Sequence, residues 1–408
     1  MNIVHLSIVF IGRGEWMIIK QGGAPPQLWT KSFLLLCLSN LFIFTSFYCL
    51  LPTLPLFITD VLTGDTKIVG YIFGIFALAA VLSRPLAGHL LDTLGRKAIL
   101  RLSLLLLTLA MLAYNWVTSL VLLVILRGIH GIFWGFATTA SGTTATDLVP
   151  AVRRGEGIGY YGLSNTIAMA AGPLLGLEIL QRFGFSILFI ISFGFAAFGF
   201  LCVWGIEHQA VNISANTKSI ILFEPKVFSF ASIMFFVAAL YSGVLSFIVL
   251  FGKEIDIENP GSYFLAFAAA LFLSRPYAGK ILDQQGPIKI MSIGFAALAS
   301  SFLSLFFANG IVLFMMSAVL FGVGFGIIQP TALTMAINKV GALQRGVANG
   351  TIMTAFDLGV GCGAILLGML SSSVGLSMMY LVSCFIVIIP FVIFYVNHVR
   401  EYKLENSQ

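Results

Sequence analysis

The chain has 408 residues, of which 59% are apolar and 9% charged, against about half and about a quarter in soluble proteins. A chain this apolar cannot cover a water-facing surface, which excludes a soluble domain and makes the lipid bilayer a partner of the fold. The formal charge of +6 is too sparse for a nucleic-acid surface, so no nucleic-acid partner is expected.

The first 29 residues read as a cytoplasmic tail without a cleavable signal peptide. Met17 is an alternative start, because codons for Arg13-Gly14-Glu15 can spell a purine-rich ribosome-binding sequence just upstream. Runs long enough for a helical crossing of about 20 residues then lie near 32–54, 67–90, 98–115, 118–145, 155–180 and 184–205. A central cytoplasmic loop, 206–226, separates these from runs near 227–251, 261–282, 288–308, 311–337, 346–371 and 375–397, and 399–408 form a second tail. The predicted fold is therefore an all-α polytopic membrane protein. It has twelve transmembrane helices, divided into six-helix halves over 30–205 and 227–398.

Lys and Arg set the orientation. With an even number of spans, both termini share a side with the loops around 96, 153, 218, 285 and 341. All but six of the 22 Lys and Arg residues lie on that side. Lys67, Arg182 and Lys253 are opposite, and Arg84, Arg127 and Arg275 are intramembrane. The positive-inside rule puts both termini in the cytoplasm, with the chain in the cell membrane of a bacterium.

The stretch Ser83-Arg84-Pro85-Leu86-Ala87-Gly88-His89-Leu90-Leu91-Asp92 recurs 191 residues later as Ser274-Arg275-Pro276-Tyr277-Ala278-Gly279-Lys280-Ile281-Leu282-Asp283. The same offset carries Gly131 onto Gly322, Gly135 onto Gly326, Arg154-Gly155 onto Arg345-Gly346 and Gly172 onto Gly363. One register held this long means a duplicated half. Duplicated glycine-rich halves suit rocking of one against the other around a central site.

Several polar residues sit where lipid or packed helices should be. An arginine at the depth of Arg84 or Arg275 is costly unless it pairs. Arg127 has no carboxylate in the first span to face, Asn40 being the nearest polar candidate, and either couples protons or binds an anionic substrate group. His130, one turn on, has a titration range that brackets neutrality, or is satisfied by a neighbouring helix. Asp357 stands inside the eleventh span, and a carboxyl that changes partner between two states is a natural proton carrier. Glu178, at the external end of the fifth span, faces either a vestibule or the water interface. Asn165, Thr166, Gln329 and Pro330 are mid-span and either line the cavity or join helices. Gly172-Pro173 is expected to bend the fifth span. The five cysteines (Cys37, Cys49, Cys202, Cys362 and Cys384) show no metal spacing and read as small free hydrophobes.

From about residue 30 to 398 the sequence resembles the major facilitator superfamily, and within it the twelve-helix drug- and metabolite-exporting antiporters. Gly88-His89-Leu90-Leu91-Asp92-Thr93-Leu94-Gly95-Arg96-Lys97 resembles the signature loop between the second and third helices; its second-half copy keeps Gly279, Asp283 and Gly286 and loses the basic pair. Leu126-Arg127-Gly128-Ile129-His130-Gly131 resembles the fourth-helix motif whose arginine is associated with proton coupling, with His130 where a glutamine is common. Ala168-Met169-Ala170-Ala171-Gly172-Pro173-Leu174-Leu175-Gly176 resembles the fifth-helix antiporter motif, with Ala168 and Leu177 replacing two of its glycines. Asp147-Leu148-Val149-Pro150 and Arg153-Arg154-Gly155-Glu156 resemble the following loop of the same group.

The resemblance implies a secondary transporter, monomeric by the family expectation, that exchanges a small amphipathic molecule for protons and draws on the proton-motive force rather than a cofactor. Gly88, Asp92, Gly95, Arg96 and Lys97, with Arg84, Arg275 and Asp283, would latch the halves, Asp92 reaching the start of the eleventh helix near Arg345. An Arg84–Asp357 contact is geometrically allowed. A symporter importing a sugar or organic acid is the nearest alternative, since the fifth-helix motif is incomplete. An enzyme is not expected: the five histidines are scattered, and neither a nucleophile–base constellation nor a phosphate-binding loop appears. A non-transporting sensor would need a soluble domain, and neither the first tail nor the central loop can bury a core.

Overall fold

In the computed structural model the described residues are 5–11, 15–21, 26–63, 66–207 and 221–399. Most of the predicted central loop, 208–220, and all of the second tail after residue 399 lie outside them. The chain opens with a hairpin, β1 (His5–Ile11) paired antiparallel with β2 (Glu15–Gln21), and Met17 lies within β2 opposite Val9. The end of the expected tail is not separate from the bundle. Leu28 is buried against Phe33 and Val149, and the Pro26 carbonyl accepts from Arg153 Nη1 at 3.3 Å.

The helices follow. In the first half they are α1 (Lys31–Leu56), α2 (Thr66–Thr93), α3 (Arg96–Ala113), α4 (Leu120–Leu148) and α5 (Arg154–Trp204). In the second they are α6 (Phe228–Glu254), α7 (Ser262–Gln285), α8 (Pro287–Phe306), α9 (Ile311–Asn338), α10 (Arg345–Val374), α11 (Leu376–Ile386) and α12 (Ile388–Phe394). Where polar residues stand at the water ends they cap. Thr30 Oγ1 accepts from Phe33 N at 3.2 Å and Ser119 Oγ from Leu122 N at 3.3 Å, each satisfying an amide the first turn leaves open.

Among the described residues, 11 stretches are long and apolar enough to cross a membrane. One of them, Ala151–Trp204, has 54 residues, about 80 Å of helix and far more than the roughly 30 Å of a hydrocarbon core. Its helical dihedrals fail inside at Gly184 (φ 78°, ψ 179°), which divides α5 into two crossings and makes the total twelve. The predicted gap between 180 and 184 is therefore a break at one residue. The dihedrals stay helical through Gly172-Pro173. At the other end α11 and α12 belong to one stretch, Leu376–Asn397.

The duplication is visible in the backbone. Among the described residues, the glycines at positive φ are Gly95, Gly184, Gly286 and Gly375, and they form two pairs at the offset of 191. Gly184 is thus the counterpart of the residue that separates α10 from α11. The packing repeats too: α2 lies on α4 as α7 lies on α9. Gly131 meets the Phe76 carbonyl as Gly322 meets that of Phe267, and Gly135 faces Ser83 Oγ as Gly326 faces Ser274 Oγ. The small residues let these backbones approach without a Cβ between them. Leu82, Val121 and Val312 are 69%, 70% and 76% exposed, as suits side chains whose surroundings are lipid.

The chain divides into two compact units. The first runs to Glu224 and takes in Val340–Gly350; the second comprises Pro225–Lys339 and the residues from Thr351. The boundary therefore differs from the predicted halves by one segment, 340–350, which includes the first turn of α10.

Candidate functional site

The reason that segment belongs with the first unit is a cluster of ions around Asp92, in the last turn of α2. Asp92 Oδ1 accepts from the Gly346 amide at 3.0 Å and Oδ2 from the Val347 amide at 2.8 Å, so both carboxylate oxygens engage the opening turn of α10. Those amides have no partner within their own helix, and the helix dipole favours a negative charge there. Arg96, the first residue of α3, pairs with Asp92 Oδ1 at 2.9 Å and with Asp147 Oδ2 at 2.9 Å. Asp147, in the last turn of α4, pairs through Oδ1 with Arg345 Nη1 at 2.7 Å. Two carboxylates and two guanidiniums thus alternate along the cluster. Asp92 and Arg96 are 9% and 6% exposed, a burial that charges tolerate when paired and hydrogen-bonded. Arg96 also donates to the carbonyls of Leu91 (2.8 Å) and Ala342.

The backbone is built for this approach. A Cβ on Gly88 would lie 2.6 Å from the Gly346 carbonyl oxygen, and one on Gly346 would lie 2.6 Å from that of Gly88. One turn further along α10, Asn349 Nδ2 donates to the Thr139 carbonyl at 3.0 Å and to Thr143 Oγ1 at 3.3 Å, over Gly142. Gly95, at φ 98°, turns the chain from α2 into α3 and brings Arg96 back onto Asp92. Lys97 is exposed and stays outside the cluster.

The two repeated arginines have matching partners. Arg84 Nη1 donates to Thr138 Oγ1 at 2.9 Å, and Arg275 Nη2 to Gln329 Oε1 at 2.7 Å. Both pairs join residues 54 apart, and 138 and 329 differ by the repeat offset. Gln329, expected at the cavity, is therefore the partner of a buried arginine.

A second group lies in the first unit around Arg127, which is 1% exposed. Its Nη1 donates to the Tyr114 hydroxyl at 3.3 Å, and Tyr114 is in turn 3.0 Å from His130 Nδ1. The guanidinium lies over the ring of Phe76 at 4.2 Å and near that of Phe73 at 5.2 Å. Among the described residues it has no carboxylate partner, and Asn40 is not its partner either. Asn40 bonds instead to Ser164 Oγ (2.7 Å) and to the Tyr161 hydroxyl (2.9 Å). Arg127 lines a narrow cleft with Phe47, Leu50, Leu51, Leu54 and Phe73, and Phe47 stacks on Trp134 at 4.2 Å.

Gly172 and Gly176 of α5 press on Tyr48 and Cys49 of α1, with Pro173 between them. Asn165 is half-buried on α5. Glu178 is exposed and pairs with Arg182 one turn on. Asp283 stands in the last turn of α7 and Asp357 mid-way along α10, both half-buried in the second unit. No group of three or more His, Cys, Asp or Glu among the described residues could hold a metal. Sequence reasoning missed Tyr114, Thr138 and Asn349, and read Asp147 only as part of a motif. The offset of 191 could have found Thr138 opposite Gln329; nothing in the sequence pointed to Tyr114.

A family model described as Major Facilitator Superfamily matches residues 36–340 and, in a second alignment, 231–408. The "Staphylopine export protein" of Staphylococcus aureus is 26% identical over 347 residues, which are 80% of this chain and 86% of that one. The human organic anion transporter MFSD10 superimposes with a TM-score of 0.78 at 15% identity, over 90% of this chain and 100% of that one. The Escherichia coli fucose:proton symporter FucP superimposes with a TM-score of 0.76 at 15% identity, over 90% and 98%.

Proposed function

The chain belongs to the major facilitator superfamily, whose members are membrane transporters and not enzymes, and on that premise we propose that it exports a small amphipathic molecule in exchange for protons. It does so by alternating access in the cell membrane, with both termini in the cytoplasm, driven by the proton-motive force and without a cofactor. The observation that carries the reading is the double hold of Asp92 on the Gly346 and Val347 amides. Such a hold is strong enough to favour one state and is made of few enough bonds to be released, which is what a latch requires. Arg96 aims Asp92, and Asp147 in turn ties Arg96 to Arg345. Asp357 is the proton carrier, exchanging partners as the transporter cycles.

Export is supported by the S. aureus relative, a staphylopine export protein, and by Gly172 and Gly176, which hold α5 against α1 as the antiporter motif implies. The second reading, proton symport, is favoured by Ala168 and Leu177 where the motif has glycines, and FucP shows that the fold serves that direction too. Proteoliposomes with an imposed pH gradient separate the two. Antiport predicts that an acidic lumen drives substrate inward; symport predicts that an acidic exterior does.

A further inference from the structure

The group around Arg127 has a donor–acceptor imbalance. A guanidinium can only donate, so Tyr114 Oη accepts from Arg127 Nη1. The hydroxyl proton of Tyr114 is then available to His130 Nδ1, 3.0 Å away. With the proton placed there, a neutral imidazole carries its own proton on Nε2. His130 Nε2 and Arg127 Nε are both buried and have no hydrogen-bond partner. The group therefore presents donors only, carries one positive charge, and has ring faces of Phe73 and Phe76 in place of a counter-ion.

A cation kept at 1% exposure without a carboxylate among the described residues is costly, and a fold keeps it where something else supplies the charge. Architecture does not require it. The duplication preserves Arg84 as Arg275 and Asp92 as Asp283, yet Arg127, Tyr114 and His130 correspond to Ala318, Leu305 and Phe321. The same helix contacts, Gly131 on Phe76 and Gly322 on Phe267, form without the charge. The cleft beside Arg127 adds the second element: four apolar side chains of α1 and one of α2. It leaves no room for a water molecule as it stands, so a ligand enters by moving Phe47 or Phe73 aside.

We propose that Arg127 is the subsite for a carboxylate of the transported molecule, the apolar cleft taking the adjoining aliphatic or aromatic part, with Tyr114 and His130 as positioning residues. The inference rests on the transport reading and narrows its substrate class to amphipathic carboxylates. On binding, the guanidinium exchanges the ring faces for a charge-assisted pair. Tyr114 holds the guanidinium through Nη1 and leaves Nε without a hydrogen-bond partner for the ligand to meet.

The test titrates the detergent-purified full chain with 4-phenylbutyrate, and with 4-phenylbutyramide as its neutral counterpart. The readout is the fluorescence of Trp134, which stacks on the cleft residue Phe47; Trp134→Phe identifies its share of the signal. Expected is a saturable change with the acid at a concentration about tenfold or more below that needed with the amide. Arg127→Gln should abolish that preference, Arg127→Lys should keep part of it, and Tyr114→Phe should weaken acid binding without affecting the amide. Thermal unfolding of the ligand-free proteins adds a readout that a structural role would move: Arg127→Gln should unfold no lower than wild type. Equal affinity for acid and amide, no binding of the acid, or an acid preference that survives in Arg127→Gln overturns the proposal. So does loss of ligand-free stability in Arg127→Gln. Acid-selective binding without proton-coupled transport would instead sink the transport reading and leave this subsite standing. Transport confined to neutral or cationic compounds and unchanged in Arg127→Gln would do the reverse.

Discussion

Asp92 accepts the Val347 amide proton at 2.8 Å across 255 residues of sequence, and this bond ties the end of α2 to the first turn of α10. With the Gly346 bond beside it, one carboxylate satisfies two amides that the helix leaves open.

Asp92→Asn tests that hold. The amide keeps one accepting oxygen, so one backbone bond survives in neutral form, while its NH2 group faces either Arg96 or an amide donor. The loss should be about 2–3 kcal/mol, the difference between charge-assisted and neutral or broken bonds. Hydrogen exchange at Gly346 and Val347 should then quicken by about 30- to 150-fold, with a parallel fall in transport rate. Unchanged exchange at both amides would remove the latch.

Gly88→Ala probes the close approach. The new Cβ would lie 2.6 Å from a backbone oxygen that cannot step aside, so overpacking should cost about 1–3 kcal/mol in denaturant titration in mixed micelles. Gly74→Ala on the same helix is the control, because nothing lies within 4 Å of its Cβ position. There the gain in helix propensity should leave stability unchanged or raise it by up to about 1 kcal/mol. Equal effects at the two sites would contradict the packing described.

Gln329→Ala should destabilise by about 1–3 kcal/mol, since it removes an accepting oxygen from a buried arginine. Gln329→Glu keeps that oxygen and adds the opposite charge, so it should be at least as stable as wild type in the same titration. A loss with Glu as large as with Ala would mean that Arg275 does not depend on this bond.

Much of the fold is legible in the sequence because lipid leaves few options. Twenty-residue apolar runs give the spans, and the offset of 191 gives the pairing of halves down to the turn glycines Gly95 and Gly286. The partnership of Asp92 with the start of α10 was also within reach, because open amides at a helix start are a property of any helix. Side-chain partners in mid-span were not. Arg127 finds Tyr114 rather than Asn40, and that depends on which faces of α1, α3 and α4 turn toward one another. Helices that are apolar all round carry little periodicity to say so. The fifth and sixth spans were separated correctly, yet their connection is shorter than a polar loop because Gly184 alone makes the turn.

The most direct test of proton-coupled export is proton release from the lumen of everted vesicles on adding substrate, compared in wild type and Asp357→Asn over a panel of amphipathic carboxylates, lipophilic cations and sugars. In wild type an amphipathic compound should collapse the pH gradient, and in Asp357→Asn the response should disappear with the protein still inserted and folded. An unchanged response in the mutant would contradict Asp357 as the proton carrier, and gradient-driven uptake in the opposite direction would contradict export.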